Sequence, residues 1–325
     1  MKIAFIGQPE YFRAFYEEDL NEIYDVQEFC TNFTMKEEEF ESLIDFNADI
    51  NVFFRGEFIP NGLLKRLNGI KVALSSEPFP SYINGKLNFT FDSYKRFEAF
   101  LNIRDKSYNY VFHYDKSSEM FLKNHGIMIS GSFAFPIATM TYKPIALKKK
   151  WDVFFIGRST PYRERFLAPI KHYFNVLHVA HGIHGNDLVP YLNQSRILLN
   201  LHADNEISWE PRVQMLMATS NLVFSHTISP NEFFEPNKDY VEIDLEDPFD
   251  LYNKVKYYLE NEREGKAIAK NGFEKVLKYF DARTRFVQLF QDIQYGKYPE
   301  FKIGEKRTHK HLKYYSYIRE KIKCK

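Results

Sequence analysis

Cysteine is nearly absent from this sequence of 325 residues, which contains only Cys30 and Cys324. Two cysteines so far apart do not make the disulfide framework of a small secreted domain, and they exclude a cysteine-rich zinc cluster. The sequence also lacks an apolar run of about 18 residues, which a membrane-spanning helix requires. The opening MKIAFIG is broken by Gly7 and is too short for the core of a signal peptide. These absences predict a cytoplasmic protein.

Two catalytic motifs are missing as well. No GxxxxGK[ST] loop is present for nucleoside triphosphate hydrolysis, and no GxSxG elbow is present for a serine hydrolase. His178, His181 and His184 are closely spaced, but Asp187 is the one carboxylate beside them. A loop that contacts substrate therefore explains these histidines better than a metal site does. We expect no metal ion and no cofactor.

Charge is unevenly distributed along the chain. The segment 302–325 contains nine Lys or Arg residues and two Glu, which leaves 35 basic and 41 acidic residues in the remainder. Tyr314, Tyr315 and Tyr317 lie among these cations. Such a tail predicts either binding to an anionic membrane surface, at the inner face of the membrane, or a solvated terminal segment.

Short apolar runs alternate with segments of helical spacing through most of the chain. The runs KIAFIG, NVFFRG and IKVALSS belong to the first half, and WDVFFIG, RILLNLH and NLVFSH belong to the second. This alternation is typical of parallel sheets covered by helices on both faces. It predicts an α/β protein with two Rossmann-like, doubly wound domains facing a cleft, over residues 1–145 and 146–295, followed by a basic tail or helix over residues 296–325.

Ligands of such sheets bind beyond the carboxyl ends of the strands, so polar residues there are candidate site residues. FIGRSTPYRER places Gly157, Arg158 and Arg163 after one strand and before a helix. Glycine allows close approach of the backbone, arginine matches phosphate oxygens, and the helix directs its positive end toward the same point. Simple capping by Ser159 or Thr160 is the alternative interpretation of this loop.

The stretch LLNLHADNEISWEPR contains a second set of candidates. Asn200 and His202 share one face of the strand, because alternate residues do so. Glu210 and Arg212 stand where the following loop becomes an apolar helix. In this position we expect them to face an anionic ligand.

The first half offers a weaker set after its own strands. Gly7, Arg55 and Glu77 each lie at the end of an apolar run. Together they predict the opposite wall of the cleft, where a second substrate, the acceptor, would bind.

With these residues in place, the second half resembles glycosyltransferases of the GT-B fold, in the group-1 branch that includes spore-maturation-like proteins. The resemblance covers residues 148–290 and follows the order KKWDVFFIGR, SRILLNLHA, EPRV, MATSNLVFSH and FFEPNKDYVEID. It implies a nucleotide-sugar donor on the second domain, a glycan or lipid-linked acceptor on the first, and a diphosphate near Gly157 and Arg158.

The sequence departs from the family on the helix after EPRV. Relatives usually have a glutamate there for the ribose hydroxyls, and this chain has Met215, with Gln214 beside it; the usual glycine is Ser220. Three explanations stay open: Gln214 replaces the glutamate, Glu210 takes its role, or the donor is atypical.

The resemblance predicts a metal-independent sugar transfer in which arginines stabilise the leaving diphosphate. Arg158 is assigned to this role with Arg212 or Arg163, and Glu77 or His202 is assigned as the base that an inverting reaction needs. Inversion and retention are both open. The alternatives are a nucleotide-sugar-binding protein without turnover and, less favoured because the body is acidic, a nucleic-acid-binding protein that uses the tail. We expect no nucleic acid partner.

Overall fold

The structure, a computed structural model, describes residues 1–32 and 40–305 together with residues 314 and 318. It contains two compact units. The first comprises Met1–Phe12, Glu18–Phe135 and Phe286–Lys325, and the second comprises Arg13–Glu17 and Pro136–Arg285. These units differ from the bounds expected from the sequence. The chain returns to the first unit between Arg285 and Phe286, inside a helix. In that helix, Phe286 and Phe290 pack against Phe5 of the first strand.

The described residues form strands and helices in alternation. The strands are β1 Lys2–Gly7, β2 Asp25–Cys30, β3 Ile50–Phe54, β4 Ile70–Ser75, β5 Ser81–Ile83, β6 Lys86–Asn88, β7 Tyr110–His113, β8 Ile127–Met128, β9 Gly131–Ser132, β10 Trp151–Ile156, β11 Val176–Val179, β12 Ser195–Asn200, β13 Leu222–His226, β14 Val241–Ile243 and β15 Lys302–Ile303. The α-helices are α1 Pro9–Phe12, α2 Glu41–Phe46, α3 Asn61–Arg66, α4 Phe91–Phe100, α5 Glu119–Asn124, α6 Pro161–Tyr173, α7 Val189–Asn193, α8 Arg212–Met217, α9 Pro248–Glu260, α10 Glu262–Tyr279 and α11 Ala282–Gln294. Short 3-10 helices are Arg13–Phe15, Glu18–Glu22, Gly56–Phe58, Leu101–Asp105, Lys116–Ser118 and Gly185–Asp187.

The first unit is built on a six-stranded parallel sheet. Its strands lie in the order β2-β1-β3-β4-β7-β9. All five residues of β3 are buried, as expected for a central strand covered on both faces. The order reverses direction between β1 and β3. Gly7, the last residue of β1, and Arg55, which follows β3, therefore flank the switch point of this sheet.

The second unit repeats the arrangement with five parallel strands. Their order is β11-β10-β12-β13-β14, and the reversal falls between β10 and β12. An apolar core of aliphatic and aromatic residues from the sheet and from α6, α9 and α10 supports it. The loops 157–160 and 201–211 thus lie at the switch point, where ligands of doubly wound sheets bind. The predicted α/β class with two Rossmann-like sheets is confirmed.

The start of the predicted tail forms a small separate sheet. Lys302 and Ile303 pair antiparallel with Met128 and Ile127. The rest of the tail, including Tyr315 and Tyr317, lies outside the described residues, apart from positions 314 and 318. Over the part of the chain that is described, no helix combines the length and apolarity needed to cross a membrane.

Candidate functional site

The loop after β10 turns at Gly157, whose φ of 150° favours glycine. Its N–H donates to the Val179 carbonyl at 2.9 Å, and its own carbonyl accepts a hydrogen bond from His178 Nε2 at 2.8 Å. A side chain at this position would begin 3.1 Å from Nη1 of Arg212 and 3.3 Å from Nη1 of Arg163. The missing side chain therefore leaves room for two guanidinium groups.

Arg212, which is largely buried, binds two of the other predicted residues and two strand-end carbonyls. Its Nε donates to Asn200 Oδ1 at 3.0 Å, and its Nη1 donates to the Ile156 carbonyl at 2.8 Å. Its Nη2 donates to the Leu201 carbonyl at 3.3 Å and forms an ion pair with Glu210. The charged pair at the start of α8 thus holds the ends of β10 and β12. The structure brings Gly157, Asn200, Glu210 and Arg212 together, as the sequence predicts.

Arg163 lies beside Arg212 and is 7% exposed. Its Nε and Nη2 both donate to the Leu201 carbonyl, at 3.0 and 2.9 Å, and its Nη1 donates to the Arg158 carbonyl at 3.0 Å. Burial, and next the charge of Arg212, lower the pKa of Arg163 to about 10. Arg163 was predicted to bind the nucleotide-sugar. Because its hydrogen bonds go to backbone carbonyls, it first holds two loops together.

Arg158 and the start of α6 form the outer part of the same loop. Thr160 caps the helix by accepting a hydrogen bond from the Arg163 N–H at 3.1 Å, and Pro161 occupies the first helical turn. Arg158 is exposed. Thr160 thus caps the helix, and Arg158 stands next to the cap as a solvent-accessible cation, whose contact with a phosphate stays a prediction.

His202 is fully buried, which argues against the predicted role as a base for an incoming hydroxyl. Its Nδ1 donates to the Glu206 carbonyl at 2.7 Å, and its backbone N–H donates to His226 Nδ1 at 3.1 Å. Burial lowers the pKa of His202. Burial, followed by the nearby positive charges, lowers the pKa of His226 to about 2. Both imidazoles are therefore neutral parts of the support behind the arginines.

Gln214 points its amide oxygen to Trp209 rather than to open space. Trp209 Nε1 donates to Gln214 Oε1 at 3.0 Å, and both residues are buried. The indole packs against the rings of Phe233, Phe234 and Phe280. Gln214 thus fixes the loop that carries Glu210 and Arg212, and the prediction that it replaces the ribose-binding glutamate finds no support in this contact.

Ser220 stands where the family usually has glycine, and its φ is 55°. Ser220 therefore adopts a left-handed conformation that favours glycine and that serine adopts at a cost.

In the first unit, Arg55 and Glu77 meet at the ends of β3 and β4. Arg55 has a φ of 63°, and its Nε donates to Glu57 Oε1 at 2.7 Å. One oxygen of Glu77 is bound by Arg55 and the other by Arg96. Neither Arg96 nor Glu57 was predicted from the sequence. Arg96 lies on α4, a helix that was not predicted. With both oxygens engaged by guanidinium groups, Glu77 is better placed to hold arginines than to remove a proton.

Gly7, the remaining predicted residue, has a packing role in the structure. A side chain there would begin 3.0 Å from a ring atom of Phe12 and 3.1 Å from Cβ of Phe54. The absence of a side chain thus lets these two stacked rings, with centroids 4.7 Å apart, close over the end of β1.

Metal ligands are sparse in the described ranges. Within residues 1–32 and 40–305, no group of three or more His, Cys, Asp or Glu is arranged to hold a metal ion. His178, from the loop considered for metal binding, instead bonds to Gly157 and has its Nδ1 3.9 Å from Glu164 Oε1.

Solved structures of other proteins share the fold of this chain. Sucrose-phosphate synthase from Thermosynechococcus elongatus has a TM-score of 0.61 at 12% identity, covering 91% of this chain and 100% of that one. An α-glucosyltransferase, in complex with UDP and a 13-mer DNA containing a HMU base, has a TM-score of 0.59 at 9% identity, covering 90% and 99%. HepE from Anabaena, in complex with UDP, has a TM-score of 0.54 at 11% identity, covering 90% and 100%. The chain has the GT-B fold of these enzymes.

Sequence comparison then gives the family of the second half. Residues 142–291 match the family model described as glycosyl transferase-like. No curated protein matches the chain in sequence. Fold and family model agree with the resemblance stated above.

Proposed function

We propose that the second unit binds a nucleotide-sugar and that the protein transfers the sugar to a hydroxyl of a glycan or lipid-linked acceptor bound by the first unit. The observation that carries this proposal is the pair of guanidinium groups, Arg163 and Arg212, beside the side-chain-free Gly157 at the β10/β12 switch point. Similar folds have been solved with UDP, with UDP-glucose, and with UDP together with α-GlcNAc-glycerol. A uridine diphosphate sugar is therefore the first donor to test.

The chemistry follows from the charge that develops on the leaving diphosphate. A preorganised cation in a site that excludes water stabilises that charge more than a cation in bulk solvent does. Arg212 is held from three sides by Asn200, Glu210 and backbone carbonyls, and it is partly exposed, so an oxyanion can reach it. Arg158 is exposed and adds a positive charge at the rim. We include metal independence in the proposal, because these cations already lie where the diphosphate is expected.

The assignments of the other residues follow their contacts. Arg163, Gln214 and His202 hold the two loops in place, and Glu210 orients Arg212. In the first unit, Arg55 and Arg96 are the candidate acceptor contacts, held by Glu77. The predicted cytoplasmic location and membrane association through the tail remain proposals, since most of the tail lies outside the described residues.

Two measurements test the proposal. The first is calorimetric binding of UDP, with GDP and ADP as comparators, to the wild type and to Arg158→Gln and Arg212→Lys. We expect UDP to bind and Arg212→Lys to weaken binding roughly tenfold to a hundredfold, the effect of losing one or two charge-assisted hydrogen bonds. Lys270→Gln is the matched control, because this exposed lysine on α10 pairs only loosely with Glu274, at 3.7 Å.

The second measurement is release of UDP from a panel of radiolabelled UDP-sugars, with and without EDTA. Turnover that persists in EDTA supports the metal-independent mechanism, and turnover that requires added metal contradicts it. Failure of every nucleoside diphosphate to bind would contradict the donor site itself. Tight binding without transfer or hydrolysis would favour the alternative of a binding protein without turnover.

A further inference from the structure

A cavity lies in the second unit beside the amino ends of the sheet strands, whereas Gly157 lies at their carboxyl ends. It has a volume of about 260 Å³. Arg196 and Leu222 line it at the amino ends of β12 and β13, whereas Gly157 follows the carboxyl end of β10. Because the strands are parallel, these two ends belong to opposite edges of the sheet. The cavity is therefore not part of the diphosphate site.

The inner end of this cavity holds the ammonium group of Lys149. Its Nζ donates to the carbonyls of Asn193 and Ser195 at 2.9 and 2.7 Å and to Asn221 Oδ1 at 2.5 Å. All three partners are neutral oxygens. Burial, and next the charges of Arg196 and Lys266, lower the pKa of Lys149 to about 8. Besides burial, two nearby cations thus act on this ammonium, and its three hydrogen-bond partners are uncharged oxygens.

The mouth of the cavity has more positive than negative charge. Arg196 Nη2 lies 3.0 Å from an oxygen of Glu262, and Lys266 Nζ lies 3.5 Å from its other oxygen. One carboxylate therefore serves two cations, and Lys149 adds a third. The surplus of two positive charges would balance the charge of about −2 on a phosphate monoester near neutral pH.

The remaining walls are apolar. Ile197, Leu222 and Ala269 are buried side chains, and Tyr258 and Leu259 add half-buried surface. Pockets for drug-sized ligands have volumes of roughly 300 to 1,000 Å³, so this cavity suits a body of about one ring. An inorganic ion alone would leave these walls uncovered.

We propose that the second unit has a second ligand site, between the amino ends of β12 and β13 and the helices α9 and α10, for a small phosphate monoester with an apolar body. The phosphate lies among Lys149, Arg196 and Lys266, and the body contacts Leu222 and Tyr258. The site is separate from the diphosphate site, so both ligands bind at the same time. It does not depend on the proposed donor.

The experiment uses phenyl phosphate as the probe, measured by calorimetry with the full chain in the presence of saturating UDP. The test variant combines Arg196→Gln with Lys266→Gln, two exposed positions whose replacement leaves the core intact. Lys270→Gln, one turn further along α10, is the matched control. We expect the Kd for phenyl phosphate to rise at least tenfold in the double variant and to be unchanged in the control.

Proton uptake gives an independent readout. A bound anion raises the pKa of Lys149, so binding near pH 8 takes up protons, and the measured heat differs between Tris and HEPES buffers. The other charged or titratable groups around the cavity are Arg196, Tyr258, Glu262 and Lys266. Absence of phenyl phosphate binding, competition with UDP, an unchanged Kd in the double variant, or equal affinity for inorganic phosphate would each overturn the proposal. If UDP itself does not bind, the same titration without UDP still tests this site.

Discussion

Acidification should destabilise the second unit through His226, the buried imidazole behind the paired arginines. His226 is fully buried, and its pKa is lowered to about 2, mainly by burial and further by its neighbours His202 and Arg163. In the unfolded chain, histidine has a pKa of about 6.5. Above pH 6.5 both states are neutral at this residue, and below it the unfolded state alone takes up a proton. Stability is therefore lost as the pH falls from 6.5 toward 2.

The size of this loss follows from the difference between the two pKa values. Each pH unit below 6.5 costs about 1.4 kcal/mol for one such group, so His226 accounts for about 2 kcal/mol between pH 7 and pH 5. That is a substantial fraction of the 5 to 15 kcal/mol that typically stabilises a folded protein. His202, whose pKa is also lowered by burial, adds to the same trend.

Urea unfolding at pH 7, 6 and 5 measures the effect in wild type and in His226→Asn. Asparagine keeps an acceptor for the His202 N–H but does not titrate, so any packing cost is the same at each pH. We expect the variant to lose about 2 kcal/mol less than wild type between pH 7 and pH 5. His172→Asn, at an exposed position of α6, should not change the slope. Equal slopes in wild type and His226→Asn would refute the assignment of a neutral, buried imidazole.

Three further predictions address the loops around the site. Gly157→Ala should weaken UDP binding roughly tenfold in calorimetry, because it forces a side chain into a left-handed turn 3.1 Å from Arg212 Nη1; unchanged affinity would show that the turn does not border the ligand. Ser220→Gly should raise the free energy of unfolding by about 1 kcal/mol, because it removes left-handed strain. A lower stability in urea denaturation would contradict this. Trp209→Phe should cost about 1 kcal/mol, because the hydrogen bond from the indole N–H to Gln214 Oε1 is lost. Combined with Gln214→Leu it should cost less than the sum of the two single changes, and full additivity would argue against the bond.

Much of the second unit could be predicted from the sequence, because its central strands are short apolar runs between turn residues. WDVFFIG and RILLNLH became β10 and β12, and their parallel pairing follows from the helical segments between them. The clustering of Gly157, Asn200 and Arg212 follows from this pairing, since the carboxyl ends of adjacent parallel strands share one edge.

The elements that were not predicted lack such a signal. Strand β2, with the sequence DVQEFC, is an edge strand with one buried residue, Phe29, so polar and charged residues interrupt its apolar pattern. Helix α4 begins at a Thr90 capping box and contains Arg96, which became visible as a partner of Glu77 only when the helix was placed. Long-range ion pairs of this kind depend on packing between segments that the sequence separates by many residues.

The role of Arg163 shows a deeper limit of reading a site from sequence. An arginine in the first turn of a helix after a strand-end glycine has the pattern of a phosphate ligand. At the same edge, however, strand-end carbonyls have lost their partners in the sheet, and buried carbonyls must find donors elsewhere. Arg163 and Arg212 both meet this need at Leu201, so one chemical property serves the backbone and the ligand alike. Exposure separates the two roles: Arg163 is enclosed, whereas the partly exposed Arg212 and the exposed Arg158 can also receive an anion. Substitutions at Arg163 should therefore mainly lower the stability of the fold, whereas those at Arg158 should weaken ligand binding alone.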